Sequence, residues 1–341
     1  MDVKTLKSSE GSRWDAYVRR HEDGTPFHLT AWSQAVETGF KQKAYLLYAE
    51  EGGEIIGVLP LIHVSSLFFK PKLVSCGFSV YGGPLANNAE VHEALDQAAI
   101  KLAEDLNVSA LEYRSQKISR PGWAHKSETY VTFKRAIDPN PDVNMKAIPR
   151  KQRAMVRKAV GFGLEARIQA DGQDHYELYS TSLRNLGTPA FPKRFFDTLL
   201  KNFGPDCDIL TVFHEGKALS SVLSFYFNGQ VLPYYGGGTT DARRYAANDF
   251  MYWSLMEHAR QKGCNLFDFG RSKVGTGAFA FKKNWGFEPQ PLHYEYYLRG
   301  DAVMPDVNPL NPKYRLMVAT WKKLPLFAAN IIGPHLSRGL D

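Results

Sequence analysis

The sequence predicts an α/β (α+β) chain of two tandem domains, each with a mostly antiparallel mixed sheet, followed by a C-terminal helical tail. Three observations predict it: an ordered set of elements that occurs twice, a polar linker between the copies, and a proline-punctuated end. The first copy reads EEGGEIIGVLPLIHV, then VYGGPLA, then EALDQAAIKLAEDLNVSALEYRS. The second reads HEGKALSSVLSFYF, then PYYGGGTT, then DFMYWSLMEHARQKGCNLFDFGRS.

Each copy opens with Glu and Gly between apolar runs, the mark of a hairpin. A strand ending in Tyr-Gly-Gly follows, at Tyr81 and at Tyr235. Next comes a helix with apolar residues at i, i+3, i+4 spacing: Leu95, Ala98, Ala99, Leu102 and Met251, Leu255, Met256, Ala259. A short strand then ends each copy in an acid. Tyr81 to Glu112 is 31 residues and Tyr235 to Asp268 is 33, so the order and the spacing recur together. Asp138, Pro139, Pro141 and Asp142 read as the linker. The expected domains are 1–140 and 141–300, with a tail over 301–341.

A chain of 341 residues, 44% hydrophobic and 23% charged, is a folded globular protein and not a disordered one. Its net charge of +7 favours an anionic partner. Cys76, Cys207 and Cys264 form no CxxC pair, so a zinc site is not expected and a reducing, cytoplasmic setting fits. No apolar core follows the basic residues at the start, and no window is long enough for a membrane span. The ten histidines show no HExxH pair and no metal site is expected; GxSxG and GxxxxGK[ST] are absent.

Two basic groupings remain. RKQRAMVRKA places Arg150, Arg153 and Arg157 on one helix face, with Lys151 and Lys158 nearby and no acid between, behind Pro149 at the first turn. Such a face, close to a helix N-terminus, suits a phosphate-bearing ligand; the alternative is a solvated surface. FDFGRSKVGTGAFAFKKNWGF contains Asp268, Arg271, Lys273, Lys282 and Lys283 around a glycine-rich loop. Asp268 suits the handling of an attacking amine, and Lys282 or Lys283, placed on a strand and so facing opposite ways, suits an oxyanion. Arg184, on a helix stopped by Gly-Thr-Pro, is a further substrate-binding candidate with Tyr81 and Tyr235. Asn248 and Asp249 read as a helix cap.

The repeat, the RKQRAMVRKA helix and FDFGRSK…FKKNWGF resemble the FemAB superfamily, aminoacyltransferases built of two GNAT-like units. YGGP, IPRKQRAMVRKA, RNLGTP, LPYYGGG, NDFMYW, GTGAFAFKKNWGFEP and NPLNPKY resemble in particular the FemAB-related proteins of PEP-CTERM/exosortase systems. The resemblance implies tandem GNAT-like domains and transfer of an acyl or aminoacyl group to an amine of a cell-envelope or exopolysaccharide precursor. It implies that a lysine of the F-K-K motif, Lys282 or Lys283, assists. It also implies an aminoacyl-tRNA donor and a nucleotide- or lipid-linked acceptor held mainly by the first unit.

The long helical arm that some of these enzymes insert is missing here, which weighs against tRNA. Acyl-CoA is the alternative donor, although RRYAAND has no glycine where a GNAT pyrophosphate loop of the form [QR]-x-x-G-x-[GA] would need it. No other cofactor is expected. A non-catalytic module binding an anionic glycan or lipid precursor is the remaining alternative. The tail, with Trp321, Leu324, Phe327, Ile331 and Ile332 beside Lys322 and Lys323, reads as a helix docked on the body or as a peripheral membrane contact.

Overall fold

The computed structural model describes residues 1–66, 70–116, 120–304 and 312–339; the NPLNPKY motif begins outside them. The chain divides into two compact units. Unit 1 is Met1–Glu128 with Leu292–Val307 and His335–Asp341, and unit 2 is Thr129–Pro291 with Asn308–Pro334.

Unit 1 holds strands β1 (Asp2–Thr5), β2 (Lys43–Glu51), β3 (Glu54–Val64), β4 (Lys72–Ser75), β5 (Leu85–Ala86), β6 (Ala110–Ser115), β7 (Ala124–Lys126) and, from far along the chain, β16 (His293–Leu298). They run in the order β1-β2-β3-β4-β6-β16-β7, with β5 beside β3. Among the described residues only β4 and β6 pair in parallel. Helices α1 (Gly11–Arg20), α2 (Thr30–Phe40) and α3 (Ala89–Asp105) complete the unit. Asn88 caps α3 by accepting from the Val91 amide at 2.9 Å. Val91, Leu95, Ala99 and Ala103, four apart, form its buried stripe over Leu59, Leu61 and Leu111.

Unit 2 holds β8 (Tyr130–Ala136), β9 (Glu165–Gln169), β10 (Cys207–His214), β11 (Lys217–Phe227), β12 (Gln230–Gly238), β13 (Leu266–Asp268), β14 (Ser272–Lys273) and β15 (Pro289–Pro291). The order is β9-β10-β11-β12-β13-β8, with β14 and β15 both paired to β8. Its helices are α4 (Pro141–Ala147), α5 (Arg150–Gly161), α6 (Gln173–Leu186), α7 (Lys193–Phe203), α8 (Ala247–Gln261), α9 (Gly277–Asn284), α10 (Pro312–Trp321) and α11 (Leu326–Ser337), the last running three residues past the unit. Met251, Leu255, Met256 and Ala259 of α8 are buried, as their spacing predicts.

The two sheets share one plan. Each has four antiparallel strands, then a parallel neighbour reached through a helix (α3 or α8), then an antiparallel strand from outside the repeat (β16 or β8). The expected hairpins are present: β2–β3 turns at Gly52 and Gly53, β10–β11 at Glu215 and Gly216, all with positive φ.

Three expectations need correction. The boundary expected near residue 140 differs from the division after Glu128, because β8 forms its ladder with the later strands β13, β14 and β15. Asp138–Asp142 is instead a capped turn into α4, where Asn140 accepts from the Asp142 amide. Tyr81-Gly82-Gly83 is not on a strand: β4 ends at Ser75, and positive φ at Cys76 and Phe78 turns the chain out of the sheet. Lys282 and Lys283 lie on α9, not on a strand, since Thr276 caps a helix there through the Phe279 amide.

Candidate active site

In unit 2 the parallel strands separate. β12 and β13 pair at Gln230↔Leu266 and Val231↔Phe267 only, while β12 stays on β11 as far as Ser220↔Gly238. A bulge at Tyr234 interrupts that ladder. Among the described residues no strand pairs with the other edge of β12 beyond Val231. The edge ends in Gly236-Gly237-Gly238. Gly237 has to be glycine: an added Cβ would lie 2.5 Å from the Tyr179 Cα of α6.

A cleft of about 710 Å³ opens at this point. Its walls are the three glycines, Asn248, Met251 and Tyr252 of α8, Ser182, Asn185 and Leu186 at the end of α6, Arg243, and Ala278, Phe281 and Lys282 of α9. Backbone amides and carbonyls therefore face a space that side chains leave free, where an extended acyl or peptide portion of a ligand fits.

Lys282 forms one corner. Its Nζ donates to the carbonyl oxygens of Phe269, Gly270 and Arg271 at 2.7, 2.9 and 3.1 Å, and lies 5.6 and 5.7 Å from the ring centroids of Phe133 and Phe269. Burial pushes its pKa down to about 7; the Asp268 carboxylate opposes that shift and Arg271 adds to it. Lys282 thus titrates near neutrality at the edge of the cleft. Lys283, the next residue on the helix, is exposed over Phe279.

Asp268 is fully buried and does not reach the cleft surface. Its Oδ1 accepts from Thr132 Oγ1 at 3.1 Å and from the Gly270 amide at 2.8 Å, and its Oδ2 lies 3.5 Å from Lys134 Nζ. The carboxylate braces the 268–271 turn whose carbonyls hold Lys282. Asp268 is not among the residues that line the cleft, where its expected place would have put it. Arg271 lies over the Tyr130 ring at 4.7 Å, and Lys273 is exposed.

The basic helix is α5. Arg150, Lys151 and Arg157 are exposed and Arg153 is half-buried. Gln152 donates to Asp249 of α8, which also accepts from Trp285 Nε1 at 3.0 Å, so α5 is fixed to α8. Burial raises the Asp249 pKa. Asn248 and Asp249 are therefore not the cap: Ala246 holds that position with φ 52, Asn248 lines the cleft and Asp249 is a tie. Lys158 over Phe162, Phe162 against Tyr245, and Arg244 over Tyr245 continue the basic face to Arg243 at the cleft wall.

Three expected binding residues lie elsewhere. Tyr235 packs among Tyr179, Phe191, Phe195 and Phe196. Tyr81 is buried in unit 1 against Phe27. Arg184 donates to the Leu324 carbonyl of the tail at 3.1 Å. Sequence reasoning passed over Ser182, Asn185, Tyr252 and the glycine edge. Three consecutive glycines at a strand end carried that signal, because a strand interior gains nothing from them unless something must approach its backbone.

Residues 144–283 match the acetyltransferase (GNAT) domain family. The lipid II:glycine glycyltransferase of Staphylococcus aureus is 22% identical over 80% of this chain and 87% of its own. The crystal structure of FemX superposes with a TM-score of 0.70 at 18% identity, covering 93% of this chain and all of that one. A tandem GNAT protein from the clavulanic acid biosynthesis pathway gives 0.56 at 13% identity, covering 89% and 99%. The fold is the tandem GNAT-like one, and the matched acetyltransferase domain and the glycyltransferase relative mark the protein as a transferase enzyme.

Proposed function

We propose that the unit 2 cleft transfers an aminoacyl or acyl group from an activated, phosphate-bearing donor to an amine of a cell-envelope or exopolysaccharide precursor. The observation that carries this reading is the Lys282 ammonium set at the corner of a cleft whose other wall is the open glycine edge of β12.

The amine nitrogen attacks the donor carbonyl carbon, and the C=O electron pair becomes an oxyanion. The tetrahedral centre then collapses, the ester or thioester bond breaks, and the leaving oxygen or sulfur departs with the proton lost by the amine. Lys282 supplies positive charge as the oxyanion forms, in a site where low dielectric strengthens it. Its three carbonyl contacts fix it in place. Asp268 keeps the turn, and so the lysine, in position. The Arg243–Arg244 and α5 strip takes the phosphates of the donor. That the S. aureus relative is a lipid II:glycine glycyltransferase supports an aminoacyl group and a lipid-linked acceptor.

The test presents the protein with aminoacyl-tRNA or acetyl-CoA and an amine-bearing lipid-linked or soluble muropeptide, and looks for the amide by mass spectrometry. An amide from one donor that Lys282→Ala abolishes supports the reading. No amide from either donor, in a folded protein whose melting temperature neither donor shifts, removes it.

A further inference from the structure

The tail helices dock on unit 2 through a few close contacts. Arg184 holds the Leu324 carbonyl, Gly187 accommodates Val318 so closely that a Cβ would meet its Cγ1 at 2.5 Å, and Gly333 lies against Ala190. Trp321 and Ala329 are buried. Away from these contacts large apolar side chains are open: Leu316, Met317, Phe327, Ile331 and Ile332 are 72, 56, 71, 65 and 42% exposed. Phe327 and Ile331 stand one turn apart on α11. Lys322 and Lys323, between the helices, are exposed as well.

The charge on this segment is of one sign. Residues 308–340 contain no Asp or Glu and five cations: Lys313, Arg315, Lys322, Lys323 and Arg338. A second copy packed through the same helices would bring lysine against lysine, with no acid in residues 308–340 to meet either. An anionic surface with an apolar layer beneath it satisfies both halves of the pattern. Helices of 10 and 12 residues are too short to span a bilayer, and among the described residues no helix is long and apolar enough to do so. Such helices lie in the interface plane.

We propose that the outer face of α10 and α11 is a docking element for a bilayer surface carrying anionic headgroups. The position gives it a use. Val318 meets Gly187, and the neighbouring Leu186, itself 64% exposed, lines the cleft. The tail that would meet the membrane is therefore packed beside a residue that lines the transfer cleft. This docking role is independent of which group the cleft transfers.

The test is sedimentation of the full chain with vesicles of phosphatidylcholine alone or mixed with phosphatidylglycerol, at low and at physiological salt. The expected result is binding to the anionic vesicles that weakens with salt. Phe327→Ser with Ile331→Ser should lower the partition coefficient more than about tenfold, since each loses the burial of a large apolar side chain. Lys322→Ser with Lys323→Ser, with folding checked by circular dichroism because Lys322 Cε packs near Gly187, should cost roughly fivefold per lysine and flatten the salt dependence. Transfer to a water-soluble acceptor should be unchanged in both pairs, and vesicle binding unchanged in Lys282→Ala, so failure of the docking and failure of the chemistry read out separately. Wild-type protein that stays in the supernatant at low salt overturns the proposal. Tail variants that bind like wild type do so too. Dimers that Phe327→Ser with Ile331→Ser dissolves would reassign the face to self-association.

Discussion

The two units follow one strand plan and part at the end of the parallel pair. In unit 1 the pair is Leu73↔Leu111 and Val74↔Glu112, and β4 stops at Ser75. The next residues fold back and fill the opening. Arg114, 2% exposed, donates to the Ser79 carbonyl and to Glu112, Gly82 donates to the Arg114 carbonyl, and Tyr294 Oη donates to Val80. In unit 2 the corresponding strand runs seven residues past its last parallel rung and ends in bare glycine backbone. The buried acids diverge in the same way. Glu112 holds Arg114 and Lys72 inside the plug, whereas Asp268 braces the turn that presents Lys282 to a cleft. Equivalent scaffolds thus end differently: unit 1 closes the end of its parallel pair, and unit 2 leaves a cleft there.

The largest expected effect tests the open side. Lys282→Ala should lower single-turnover transfer by about 10²–10³, while Lys283→Ala, an exposed position, should leave the rate within about twofold. Equal mild losses would show that α9 is only a wall.

The closed side responds in stability. Arg114→Ala removes one cation from the buried Glu112 and should cost about 3 kcal/mol in denaturant unfolding, with no change in transfer per folded molecule. If Arg114→Ala left stability alone and abolished transfer, the division of labour between the units would be reversed.

A smaller effect concerns the basic strip. Arg153→Glu with Arg157→Glu should weaken donor binding on the order of tenfold at low salt, less as ionic strength rises. Salt-independent, unchanged affinity in a titration would make α5 a solvated face.

The smallest signal is the pH profile. Lys282 titrates at about 7, so if its ammonium is the working form, the maximal rate declines as pH rises through that value. Lys282→Arg keeps the charge and should remove the decline. A descending limb that persists in the arginine variant would assign it to another group.

The sequence by itself determined the fold plan. Hairpin turns at Gly52–Gly53 and Glu215–Gly216, the helical spacing of Leu95–Leu102 and of Met251–Ala259, and the Pro149 helix start are local, and period and turn chemistry report them directly. It also marked the segment that carries Lys282. Only the tertiary structure decided what those residues do. FAFKKN is too short and too aromatic for period to separate strand from helix, so the facing of Lys282 and Lys283 followed from the Thr276 cap and from packing on Phe133 and Phe269. Asp268 and Glu112 look alike along the chain, and their roles depend on Lys134, Thr132, Arg114 and Lys72, each brought in by another strand or loop. Tyr81 and Tyr235 share a motif but part at the turn after Ser75. Burial, pKa and access are properties of what a residue meets across the fold, and spacing along one chain does not encode them.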